Sequence, residues 1–80
     1  MLFFDKVGFE ETLLQARYAY SGTNVEYIGY AEPGAEETAQ EWVIVKYTYN
    51  SSSLVTKKTF ANGKKNFTLA WSEREGYSYA

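Results

Sequence analysis

Two lysine pairs flank an Asn-Gly step near the end of this chain, with phenylalanines set among them. Lys57 and Lys58 precede Asn62-Gly63, Lys64 and Lys65 come after it, and Phe60 and Phe67 are interleaved. Cations for phosphate and rings for stacking are what a single-strand-binding sheet uses. An edge hairpin carries lysines for a different reason, to block edge-to-edge pairing. The overall charge favours the second reading. The chain has ten acidic and eight basic residues, a net charge of −2, whereas nucleic-acid binders are usually basic or carry a strong basic stripe. Nucleic acid is therefore not an expected partner.

Other chemistry is narrowly bounded. The sequence has no His and no Cys, which removes disulfides and the usual zinc and haem ligands. Nucleophilic catalysis would have to use carboxylate or Lys chemistry, and a Glu acid–base pair needs a cleft that an 80-residue sheet can hardly enclose. Glu32, Glu36, Glu37 and Glu41 suggest a cation site at first sight. Their spacing lacks the tight alternation of calcium loops, and they read as a solvated connection. Gly22, Gly29 and Gly34 form no phosphate-binding fingerprint. No enzyme, cofactor or metal site is expected.

The elements that position these residues read as strands. Aromatics make up 19% of the chain and eight of them are Tyr, a composition suited to half-buried sheet surfaces. Strands are expected over residues 12–20, 25–31, 42–49 and 54–61. A helix over 10–20 competes with the first, because Glu, Leu, Gln, Ala and Arg are good helix formers. In 12–20, Leu14, Ala16, Tyr18 and Tyr20 fall on one face. Gly29 inside the second strand points to a bulge or a close backbone approach. Residues 32–41 form the acidic connection, with a turn at Pro33-Gly34 and room for one helical turn over 35–40.

Asn62-Gly63 is the strongest turn signal, because a type I′ loop needs positive φ at both positions. If it closes a two-residue hairpin, Phe60 faces Lys65 and Lys58 faces Phe67. Leu54, Thr56, Lys58, Phe60, Lys65, Phe67, Leu69 and Trp71 then share a mostly apolar face with Val43, Val45, Tyr47 and Tyr49, and Lys57 neighbours Lys64 on the other. Trp42 and Ile44 fall opposite Val43 and Val45, so both sides of that strand are apolar near its start and need cover. The end of the chain carries a charged turn and a short last strand through Tyr77 and Tyr79. A helical stripe of Phe67, Ala70, Trp71 and Arg74, with Asn66 as N-cap and Gly76 past its end, competes there. Strand to about Leu69, then a helical turn through Trp71 and Arg74, is the expected compromise.

The fold expected is all-β: a small antiparallel sheet folded as a β-sandwich or partly open barrel, with the Asn62-Gly63 hairpin and an extended N-terminal arm. Residues 1–11 form the arm and 12–80 a single small domain. A domain this small has a marginal core, and surplus aromatics suit contacts between chains. The structural and interface candidates are Phe3, Phe4, Phe9, Trp42, Ile44, Trp71, Arg74, Tyr77 and Tyr79. The N-terminal residues lack a signal-peptide pattern, and no run approaches the ~20 apolar residues of a membrane span.

Several pieces recur together in order: Tyr27-Ile28-Gly29-Tyr30-Ala31, Pro33-Gly34, Trp42-Val43-Ile44-Val45-Lys46, Tyr49, the Ala61-Asn62-Gly63 turn, Phe67, Trp71, Arg74 and the Tyr77–Tyr79 end. In these, residues 25–80 resemble small virion proteins of tailed bacteriophages. Asn62 stands where that motif usually has Asp, Ser72-Glu73 where paired acids are common, and Lys64-Lys65 is more basic than usual. The resemblance implies a non-enzymatic structural part of the particle, in head, neck or tail, made in the bacterial cytoplasm. It also implies other virion proteins and copies of the chain itself as partners. Two other readings stand beside it: a nucleic-acid or carbohydrate-binding module using the Tyr-rich surface, and a small inhibitor or interaction protein.

Overall fold

The computed structural model describes residues 13–80. The expected N-terminal arm, with Phe3, Phe4 and Phe9, lies outside the described residues. Four strands succeed one another in chain order: β1 (Gln15–Ser21), β2 (Asn24–Ala31), β3 (Val43–Tyr49) and β4 (Val55–Phe60). Each pairs antiparallel with the next, in the order β1-β2-β3-β4. The alternation of Ala16, Tyr18 and Tyr20 with Arg17 and Ala19 made β1 a strand, and helix propensity lost to it. Among the described residues the strands form one sheet, not two.

Local chemistry sets the turns. Gly22 takes a positive φ of 63° between β1 and β2. Between β3 and β4, Asn50 Oδ1 accepts hydrogen bonds from the backbone N–H groups of Ser52 and Leu54, at 2.8 and 3.1 Å, an Asx-type turn. The helical turn for which residues 35–40 have room does not form. The connection instead makes isolated turns, with Ala35 N–H donating to Glu32 O and Ala39 N–H to Glu36 O.

Asn62-Gly63 forms the turn its residue types require. Asn62 and Gly63 have φ of 53° and 65°, and Lys64 N–H donates to Ala61 O at 2.9 Å. The pairing expected beyond it does not form, so the Phe60–Lys65 and Lys58–Phe67 pairs are corrected. Residues 64–68 carry no strand. At the end of β4 the outer side is taken by the C-terminus, with Phe60 and Ala80 exchanging hydrogen bonds of 2.9 and 3.1 Å and Ala61 bridging to Tyr79. The chain instead loops out and returns at Leu69, which exchanges hydrogen bonds of 2.8 and 3.1 Å with Trp42. Trp42 and Ile44 present their backbone groups to the same edge of the sheet, two residues apart. Ile44 O accepts from Ala61 N–H there, so Leu69 resumes the line that β4 leaves.

This detour changes which face Leu69 and Trp71 serve. A hairpin would have set them with Val43 and Val45. The loop delivers them to the opposite side, where Tyr27, Ala31, Trp42, Ile44, Ala61, Leu69 and Trp71 form the core, with Ala19, Ala35, Tyr77 and Tyr79 packed against it. Trp71 opens a 3-10 helix, Trp71–Gly76. A helical turn there was expected, but Ala70 stands at its N-cap and Asn66 does not. The helix can lie flat on the sheet because β2 has no side chain at Gly29. A Cβ there would come within 2.8 Å of Trp71 Cζ3 and 3.1 Å of Trp42 Cε3, closer than carbon atoms pack. Gly29 is thus a close approach. The bulges lie elsewhere, at Ala19/Tyr20 and Thr48/Tyr49.

Candidate interaction surface

The core face is finished by cations and hydroxyls of the chain itself. The rings of Trp42 and Trp71 lie 6.1 Å apart, with the Arg17 guanidinium 5.6 Å from the first and that of Arg74 4.5 Å from the second. Tyr27 and Tyr79 pack at 5.5 Å, and Lys46 Nζ lies 5.7 and 5.6 Å from their ring centroids. Such contacts contribute about 0.5–1 kcal/mol each where partly exposed. Trp42 Nε1 donates to Glu36 O at 2.9 Å, Tyr79 donates its hydroxyl to Arg74 O at 2.6 Å, and Tyr77 Oη accepts from Ala70 N–H at 3.0 Å. Burial, then the charges of Glu26 and Glu75, raises the Tyr27 pKa, against a lowering by Arg74. Burial is also the main cause that raises Tyr79.

Of the sequence candidates, Trp42, Ile44 and Trp71 are therefore core residues of their own chain, Arg74 stacks on Trp71, and Tyr77 and Tyr79 turn inward to bind backbone groups. Phe3, Phe4 and Phe9 lie outside the described residues.

Beside this core is a shallow concavity of about 420 Å³ lined by Gln15, Arg17, Gly34, Ala35, Glu36, Glu37 and Thr38. Gln15 spans it, donating to Glu32 O and Ala35 O at 2.9 and 3.1 Å. Arg17 pairs with Glu37 at 2.8 Å. These groups tie β1 to the acidic connection and converge on no nucleophile. Among the described residues no cluster of His, Cys, Asp or Glu is arranged to hold a metal.

The hairpin register set Lys57 beside Lys64 on one face and Lys58 with Lys65 on the other; the split of Lys57 from Lys58 holds, but Lys64 and Lys65 have no place on the sheet. Lys57 and Lys58 sit on opposite faces of β4, opposite Thr48 and Tyr47 of β3. Lys58 Nζ lies 5.6 Å from the Phe60 ring centroid, and Lys64 and Lys65 are exposed in the loop after the turn.

The second face of the sheet has a different character. The register aligns Tyr18, Ile28, Val45 and Phe60 in one row across all four strands, and Ala16, Tyr30 and Val43 in the next. Val43 and Val45 are buried, while Ile28, Tyr30, Tyr47 and Phe60 are half-buried. Tyr18 and Tyr20, at the β1 end, are 56% and 62% exposed. Large aromatic side chains left this open on an aliphatic bed are the surface most suited to a partner. The sequence signal for it was the β1 alternation, which put Tyr18 and Tyr20 on one face. The aromatic termini carried the denser signal and masked it.

Comparison with protein-family models, curated proteins and solved structures found no match to this chain. Among the described residues, no helix is long and apolar enough to cross a membrane.

Proposed function

We propose that the chain is a non-enzymatic structural component of a tailed-bacteriophage particle, located in the virion, present in multiple copies and held through the second face of its sheet. The motif resemblance over residues 25–80 supports the kind of assembly. The observation that carries the mode of contact is the row Tyr18–Ile28–Val45–Phe60, whose outer tyrosine is more than half exposed. Tyr is enriched at interfaces because it covers apolar area while its hydroxyl stays hydrated. The absence of His and Cys from the sequence agrees with a role in which binding, not chemistry, is the output.

Quantitative mass spectrometry of purified particles tests the proposal. The chain is expected at a copy number that fits the particle's symmetry. Its absence from particles, together with salt-sensitive retention on nucleic acid or salt-independent retention on polysaccharide, would establish the binding-module reading instead.

A further inference from the structure

We propose that two copies of this chain pair through β1, antiparallel about a two-fold axis at Tyr18, so that their sheets join into one. The inference rests on the assembly reading above and names the first partner as a second copy of the chain.

The two ends of the sheet differ. At the β4 end, Ala80 pairs with Phe60, the last residue of the strand, and the rest of that edge carries Lys57 and Lys58, charges of the kind that deter a further strand. At the other end β1 bonds to β2 on one side, and among the described residues no strand pairs with its outer side. An open edge is a template for another strand unless something blocks it, and Pro, charges and bulges are the usual blocks. β1 has none of these on its outer edge. Its seven residues include no Pro and one charge, Arg17, and that charge turns to Glu37. The bulge near Ala19/Tyr20 places its extra residue, Glu26, in β2, so β1 stays regular.

The sequence of β1 fits itself. Centred on Tyr18, antiparallel pairing sets Gln15 against Ser21, Ala16 against Tyr20, Arg17 against Ala19 and Tyr18 against its own copy. Gln15 and Ser21 pair polar with polar, Tyr20 and Arg17 each face an alanine, the two Tyr18 side chains meet at the axis, and all seven residues are used. Moving the axis to Arg17 would set two guanidinium groups opposite one another, a destabilising pair. Moving it to Ala19 would leave Gln15 and Ala16 unpaired. The Tyr18 register also keeps side-chain parity, so Tyr18 and Tyr20 of both copies fall on one side. The apolar row Tyr18–Ile28–Val45–Phe60 then runs on into its symmetry mate, and the two most exposed tyrosines gain neighbours.

The chain has no cysteine, so a single introduced thiol reports the register. Directly opposite residues in an antiparallel ladder have Cα atoms about 4.5–5.5 Å apart, within the reach of a disulfide at about 4.4–6.8 Å. Under mild oxidation Tyr18→Cys should form a covalent dimer at least about tenfold faster than Val55→Cys, an equally exposed site on β4 that the pairing leaves apart. If Tyr18→Cys does not fold, a mixture of Ala16→Cys and Tyr20→Cys, which the register sets against each other, replaces it. The native chain should sediment as a dimer, and Tyr18→Lys should be monomeric with an unchanged circular dichroism spectrum. A native monomer, or cross-linking no faster than in Val55→Cys, overturns the pairing. Particles that contain the chain while Tyr18→Cys fails to cross-link would remove this inference alone. Cross-linking by a chain absent from particles would remove only the virion reading.

Discussion

Replacing Gly29 with Ala adds one methyl group at the most crowded point of the fold. The Trp71 ring, in a residue only 4% exposed, lies over Gly29, and the Arg74 guanidinium stacks on the same ring. The new carbon would sit 2.8 Å from Trp71 Cζ3 and 3.1 Å from Trp42 Cε3, so the tryptophan must lift and loosen the 3-10 helix. Overpacking of this kind costs about 1–3 kcal/mol. A smaller effect opposes it: Ala restricts the unfolded chain and gives back about 0.4–1 kcal/mol. Gly29 is not among the glycines with positive φ, so backbone strain does not enter. The clash wins, and a net loss of roughly 1–2 kcal/mol should lower Tm by about 4–16 °C in a domain of this size. Thermal unfolding monitored by tryptophan fluorescence reads it directly, since both tryptophans lie in the core. Trp71→Leu should remove most of the Gly29→Ala penalty in the double variant, because the two sites share one contact. An unchanged or higher Tm for Gly29→Ala would refute the packing argument.

Gly63→Val should destabilise the chain by about 1–2 kcal/mol through the positive φ of the turn alone, since open space surrounds the position; urea denaturation measures it. Stability should be full below the ordinary tyrosine pKa of 10.0 and fall as pH rises above it. The unfolded chain there loses protons that Tyr27 and Tyr79 retain when folded. Tyr79→Phe should flatten that alkaline decline, while costing roughly 0.5–1.5 kcal/mol near neutrality for the lost hydrogen bond to Arg74 O; denaturation midpoints on both sides of pH 10.0 test both statements. A single-stranded oligonucleotide should not bind at physiological salt. A micromolar complex whose log affinity falls by about 0.7 per phosphate contact for each log unit of salt would reverse that expectation.

Much of the fold was legible because periodicity and turn chemistry are local. The alternation through β1, the β-branched and aromatic run of β3 and the Asn-Gly step each produced the expected structure. The path of the chain beyond Asn62-Gly63 was not legible, because a type I′ turn fixes the chain's direction for only a few residues. Whether β4's outer edge pairs with residues 64–71 or with 78–80 is a competition between distant segments. The path taken buries Leu69 and Trp71 with Trp42 and sets the Trp71 ring over Gly29. Gly29 carried a legible hint of close approach, without naming the ring that approaches. The inward turn of Tyr77 and Tyr79 was hidden for the same reason, since their hydroxyl partners, Ala70 N–H and Arg74 O, are set by the 3-10 helix.

Co-expression of native chain and Tyr20→Lys during particle formation, with the ratio of the two measured in purified particles, shows whether the tyrosine-bearing second face holds this chain in an assembly. Tyr20 is 62% exposed and belongs to no core contact, so the variant should fold with a Tm close to native. Particles should exclude it at least about tenfold, because a lysine on a desolvated aromatic interface loses its hydration without a partner. Equal incorporation of the two chains would contradict it.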